Sequence, residues 1–165
     1  MKGGILEIMG PLATDLAGLA YRAVLTKQYA SVTPQAVSVW CRQLGHETFY
    51  ATYYGLGDAS RQLPPDLDIV FIACYTKDSA LAYALAKKYR SAGVRTVIGG
   101  PHAKVYPADC LRFFDLVVKE CDKSLIADIV AGHFDPGSFI SSAKPFEDLP
   151  TVQERMPEIR KSALL

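Results

Sequence analysis

No two cysteines in this chain stand at CxxC spacing, and none of Cys41, Cys74, Cys110 and Cys121 groups with histidine as a zinc site requires. Four scattered thiols imply reduced, mostly buried side chains. No apolar run reaches the roughly 18 residues that cross a bilayer. The opening "MKGGILEIMG" lacks the apolar region and small-residue cleavage site of a secretory signal. Together these absences predict a cytoplasmic protein without a membrane partner. Charge of one sign is missing too: 18 Lys and Arg oppose 17 Asp and Glu, for a net +1. A broad nucleic-acid footprint would need a basic excess on one face. There is no internal repeat and no low-complexity segment. No Ser/His/Asp or Cys/His set and no paired carboxylates stand out as catalytic machinery.

What is present is one domain's worth of chain: 165 residues, 50% hydrophobic and 21% charged. "GGILEIMG" (3–10), a short apolar run bounded by glycines, predicts a strand. The stretch 11–32 reads as a short helix with Asp15 near its start, then a linker. "TPQAVSVWCRQLGH" (33–46) predicts a helix, with Thr33 to cap it, Pro34 in the first position and Gly45 to end it. "ETFYATYY" (47–54) is a strand by its aromatic and threonine content. "LDIVFIACY" (67–75) is a continuous apolar run, as expected of a strand covered on both faces. "DSALAYALAKKYRSAG" (78–93) is a helix closed by Gly93, and "VRTVIGG" (94–100) is the fourth strand. A short helix (106–114), a fifth strand "DLVVKE" (115–120) and a helix (123–132) follow. Alternation with short connections predicts an α/β fold with a mostly parallel, doubly wound, five-stranded sheet flanked by helices. Residues 133–165 hold four of the ten prolines and little periodicity, so they read as an extended tail or linker.

In such sheets ligands bind beyond the carboxyl ends of the strands, where strand order reverses. The first loop, "MGPLATD", has neither GxGxxG nor GxxxxGK[ST], which argues against an ordinary dinucleotide or ATP site. A receiver domain would need a carboxylate ending the third strand, where this chain has "ACYT". "CYTKDS" offers a polar floor for a ligand, or ordinary capping of the next helix. "GGPH" (99–102) lets a bulky ligand approach the backbone, or is a tight turn whose histidine faces water. "KECDK" (119–123) carries charges that are usually just solvated.

Taken together, "DIVFIACYTKDS", "AYALAKKYRSAG" and "VIGGPHA" resemble the cobalamin-binding domain at the amino end of many radical S-adenosylmethionine enzymes, over about residues 34–132. The resemblance implies a Rossmann-like corrinoid-binding domain over residues 1–132. Residues 133–165 then form a linker toward a radical-enzyme barrel, whose CxxxCxxC iron–sulfur cluster and S-adenosylmethionine belong to that downstream domain. It implies no catalysis by this chain alone. The cofactor-binding set it suggests is Pro11, Leu12, Cys74, Tyr75, Thr76, Ser79, Gly99, Gly100, Pro101, His102, Lys119 and Glu120. Gly99 and Gly100 would be small so that the nucleotide tail packs on them, and Thr76 and Ser79 would hydrogen-bond the tail or the corrin amides. Methionine synthase and the mutases carry DxHxxG after the first strand; here "GPLATDLAG" has Asp15 and Gly18 but no histidine, so no protein ligand to cobalt is expected. "KECDKS" replaces the Gly-Glu-rich loop of relatives. Methyl transfer and rearrangement are the chemistries implied for the full enzyme. A standalone corrinoid or small-ligand carrier or sensor, and a fold-only interaction domain using "FYATYY", are the alternatives.

Overall fold

A sheet buried on both faces needs strands that are apolar on both sides, and the central strands meet that demand. The computed structural model describes residues 1–10, 15–18, 31–55 and 57–162. Among these, six strands pair in parallel: β1 (Lys2–Ile8), β2 (Glu47–Tyr53), β3 (Ile69–Cys74), β4 (Arg95–Gly99), β5 (Leu116–Val118) and β6 (Ser138–Ile140), in the order β2-β1-β3-β4-β5-β6. In β3, Ile69 and Phe71 face one cluster while Val70 and Ile72 face the other. β2 stands at the sheet's edge and keeps an exposed Glu47 and half-buried Phe49 and Thr52.

The described helices are α1 (Val32–Gln43), α2 (Ser79–Ser91), α3 (Pro101–Val105), α4 (Pro107–Cys110), α5 (Lys123–Ala131) and α6 (Val152–Ser162). Helix α2 buries Ala82, Leu85, Ala86 and Tyr89, a stripe of helical period, against the face that also takes Cys110 and Phe114. On the other face, Ala36, Val37, Trp40 and Cys41 of α1 pack with Ile126 and Ile129 of α5. Full burial of each large apolar side chain contributes about 1.5–3 kcal/mol. Gly45, Gly93 and Gly132 end their helices at φ of 81°, 79° and 83°, conformations that side chains disfavour. No described helix is long and apolar enough to cross a membrane.

Several expectations change. The sheet has six strands rather than five. Helix α1 begins one residue earlier, and Ser31 rather than Thr33 occupies its cap position. "GGPH" is not a free turn: Pro101 opens α3, where its missing N–H costs nothing. The predicted helix and linker at 11–32 lie largely outside the described residues; of these, Asp15 accepts the Gly18 amide at 2.9 Å.

The largest change concerns residues 133–162. Instead of an extended tail, they supply β6, which joins β5, and α6, which packs on α1 and β2. The attachment is polar, which is why a search for apolar periodicity passes over it. Buried Glu158 accepts from Ser38 Oγ at 2.8 Å and pairs with Arg42; Arg155 donates to Gln35 Oε1 at 2.7 Å. Trp40 Nε1 donates to the Asp148 carbonyl at 2.9 Å, and the Tyr54 hydroxyl donates to the Ser162 carbonyl. Replacing Glu158 by alanine leaves the buried Ser38 hydroxyl without its acceptor and takes the carboxylate partner from Arg42. It is expected to cost about 1–3 kcal/mol in urea unfolding, whereas a loosely attached linker would leave the unfolding midpoint unchanged.

Candidate functional site

Strand β1 pairs with β2 on one edge and β3 on the other, and the connections from β1 and β3 leave over opposite faces. A crevice is therefore forced open at their carboxyl ends. A cavity of about 340 Å³ lies there, between the sheet and the helices α1 and α5. That volume sits at the lower end of the roughly 300–1,000 Å³ typical of small-molecule sites. Ile5, Phe71, Val97 and Val118 form its sheet wall, and Pro34, Val37 and Ile126 face them. Tyr75, Pro101, Lys104, Lys119, Glu120 and Phe146 also line it, nearer the surface.

Of the residues singled out from the sequence, Cys74, Tyr75, Gly99, Gly100, Pro101, Lys119 and Glu120 line this cavity. The two glycines do different things. Gly100 sits at φ 86° and ψ −172°, a region that is essentially glycine-only, and a Cβ there would come 3.4 Å from the Cys74 amide. Its identity is therefore fixed by the backbone. Gly99 has no such demand: a Cβ would meet only the Val118 carbonyl, at an ordinary 3.6 Å, and would otherwise stand in open space on the cavity wall. Gly99 is the residue whose missing side chain is volume.

Thr76, Ser79 and His102 do not line the cavity. His102 is buried, and its ring joins a network with α2 and α4. Tyr83 donates to Asp109 Oδ2 at 2.7 Å, so His102 Nε2, 2.6 Å away, carries the proton toward the Tyr83 oxygen. Nδ1 stands 3.3 Å from Thr76 Oγ1. Ser79 Oγ donates to the Thr76 carbonyl at 2.9 Å. These hydroxyls and this imidazole tie the loop after β3 to α3; they are spent on protein partners. Pro11 and Leu12 lie outside the described residues.

At the mouth, Glu120 pairs with Lys104, whereas the Lys119 ammonium turns to the other face of the sheet, 4.4 Å from the centre of the Phe139 ring. The thiols of Cys74 and Cys121 line the cavity, and burial pushes both up to about 12, so they remain neutral S–H groups near pH 7. Among the described residues no group of three or more His, Cys, Asp and Glu converges as a metal site.

Glu7, Lys104 and Phe146 are among the lining residues that the sequence reading did not single out. Glu7 is 2% exposed. It accepts the Ser31 amide at 2.8 Å and faces the Tyr50 hydroxyl at 3.3 Å. Burial raises its pKa, and the hydrogen bonds from Ser31 and Tyr50 oppose that rise. Its signal was in plain view: one carboxylate inside "GGILEIMG", a strand otherwise apolar to its end. Phe146 carried no comparable signal. It stands at φ 67°, a strained conformation for a bulky residue, with its amide on the Cys121 carbonyl at 3.2 Å.

No family model and no curated protein matches the chain. Among solved structures, the N-terminal domain of a hypothetical protein from Thermotoga maritima aligns with a TM-score of 0.45 at 18% identity, over 72% of this chain and 94% of that one.

The His102 network has a pH signature. Burial lowers the His102 pKa from its ordinary 6.5, with Asp109 opposing. The unfolded chain therefore takes up a proton before the folded protein does. The stability this gives is present above about pH 6.5 and is lost as the pH falls through the window below it. Urea midpoints are expected to fall between about pH 7.5 and pH 5, and His102→Asn is expected to flatten that fall. Equal pH slopes for the two proteins would remove His102 from the account.

Proposed function

We propose that the chain is a cobalamin-binding module that takes the cofactor's nucleotide tail into the cavity behind β1, β3 and β4. The observation that carries this reading is Gly99. The strand end there tolerates a side chain, yet has none, and the space left open belongs to the cavity. The cavity's size supports the same reading: about 340 Å³ suits a nucleotide-sized group, so the tail is the part that enters and the macrocycle stays at the mouth. Lys104 stands on the mouth side, where an anionic phosphate would pass.

The corrinoid, when bound, supplies the group-transfer or rearrangement chemistry, and the protein supplies binding and orientation. In this proposal the reaction belongs to a radical S-adenosylmethionine barrel that follows the chain. The exposed Tyr75, Val105 and Tyr106, next to the lining residues Lys104 and Pro101, offer apolar surface to such a covering domain.

Mixing the protein with hydroxocobalamin, followed by gel filtration, reads the proposal directly through the visible corrin absorption. Co-elution is expected for cobalamin, and at least about tenfold weaker retention for cobinamide, which lacks the nucleotide tail. Gly99→Leu, checked by circular dichroism to be folded, is expected to lose at least about tenfold in affinity by filling the slot. A wild-type protein that elutes free of corrinoid, or a folded Gly99→Leu that binds unchanged, overturns the proposal.

A further inference from the structure

Among the described residues, Phe146 and Asp148 are the two non-glycine residues at positive φ, 67° and 58°. Both stand in the segment 141–150, which runs between the start of α5 and α1. Its first half is fastened to the loop that follows β5. The Ser142 amide donates to the Glu120 carbonyl at 2.9 Å, the Ser142 hydroxyl donates to Asp122, and the Phe146 amide donates to the Cys121 carbonyl. Asp122 uses its other oxygen to cap α5, accepting the Leu125 amide at 2.8 Å. The second half is held by α1, through Trp40 Nε1 on the Asp148 carbonyl. Glu120, Cys121 and Phe146 all line the cavity. A left-handed backbone is unfavourable for an aromatic residue, and a turn of this kind favours glycine or asparagine. Burial does not offset that cost in full, because Phe146 is 44% exposed.

Neither the turn nor the core accounts for an aromatic side chain at 146, whereas a place on an apolar cavity wall does. Strained backbone that the surrounding structure holds in place is a mark of ligand clamps. We infer that Phe146 is a ligand-binding residue, kept in its strained conformation so that its ring stacks on a planar heteroaromatic group of the occupant. Stacking of this kind tolerates different substituents on the guest ring, because every such ring has a π face. The remaining walls suit the same guest: Ile5, Phe71 and Val97 on the sheet and Val37 and Ile126 opposite are apolar. The inference rests on the corrinoid reading for the molecule that brings the ring. Under it, the partner of Phe146 is the dimethylbenzimidazole base, the flat aromatic group of the nucleotide tail. Gly99 then supplies room and Phe146 supplies contact. The tethers to Cys121 and Trp40 fix the wall before any ligand arrives, so its ordering is met on folding rather than on binding.

The test separates affinity from stability at one position of the full chain. Phe146→Gly and Phe146→Ala both delete the ring, but glycine alone accepts φ 67° without strain. Both are expected to lose about tenfold to a hundredfold in hydroxocobalamin affinity, the worth of stacking one base. Phe146→Gly is nevertheless expected to unfold at a higher urea concentration than Phe146→Ala. Phe146→Leu keeps apolar bulk without a π face and is expected to lose most of the same factor, whereas Phe146→Tyr is expected to keep it. In parallel, the tail fragment 5,6-dimethylbenzimidazole riboside 3′-phosphate is titrated through the fluorescence of Trp40, the one tryptophan, whose indole N–H is tied to the same segment. Affinity that merely follows stability across the series overturns the inference and leaves the corrinoid reading standing. So does a folded Phe146→Leu that binds hydroxocobalamin like the wild type. If hydroxocobalamin does not bind but the tail fragment does, and Phe146→Gly weakens it, the corrinoid reading falls and the assignment of Phe146 holds. If neither binds, both fall.

Discussion

Strand β1 is hydrogen-bonded along both edges, residue for residue with Glu47–Tyr53 on one side and from Gly3 to Ile8 with Ile69–Cys74 on the other. Everything at the cleft depends on that double pairing. It fixes the point at which the sheet grows outward in two directions, and connections that diverge cannot close over the strand ends between them. It also fixes which side chains look into the gap. Side chains alternate along a strand, so Ile5 and Glu7 face α1 while Leu6 and Ile8 face α2. A slip of one residue would put Glu7 into the closed core and an isoleucine at the cavity wall.

The second determinant is the route taken after β5. The connection β3–α2–β4 and the connection β5–α5–β6 advance across the sheet in the same direction, yet α2 and α5 cover opposite faces. The two crossovers therefore have opposite hands, although one hand strongly predominates among parallel connections. The consequence is that α1 and α5 stand side by side and roof one face, and the chain beyond β6 returns over α1. Trp40 anchors that return through its indole N–H to Asp148, close to Phe146 in the cavity wall.

Legibility along the chain followed the kind of force involved. Elements held by apolar burial, such as β3 and α2, are readable because their periodicity is the burial pattern itself. β6 and α6 were read as a tail because each is held differently. β6 is three residues paired at an edge, and α6 is tied down by Glu158, Arg155 and Ser162 through polar contacts at sequence separations above one hundred residues. The site divides the same way. The glycine pair could be found by sequence, because missing side chains are visible there, but the division of labour between Gly99 and Gly100 could not. Gly100 is required by a φ of 86°, whereas Gly99 borders open space that would admit a side chain, and neither quantity is written in the letters. His102, attractive as an isolated imidazole, proves to be committed to Tyr83 and Thr76 on the far side of the sheet.

The sequence by itself determined the fold class, the alternation of strands and helices up to residue 132, and the loops in which chemistry would gather. It could do so because local propensity and burial period act over a few residues. The tertiary structure alone decided that the chain after residue 132 belongs to the fold, that Thr76, Ser79 and His102 face protein rather than the cavity, and that Glu7 and Phe146 belong to its wall. These depend on which segments distant in sequence are brought side by side, and strand order and crossover hand settle that only when the whole sheet has assembled.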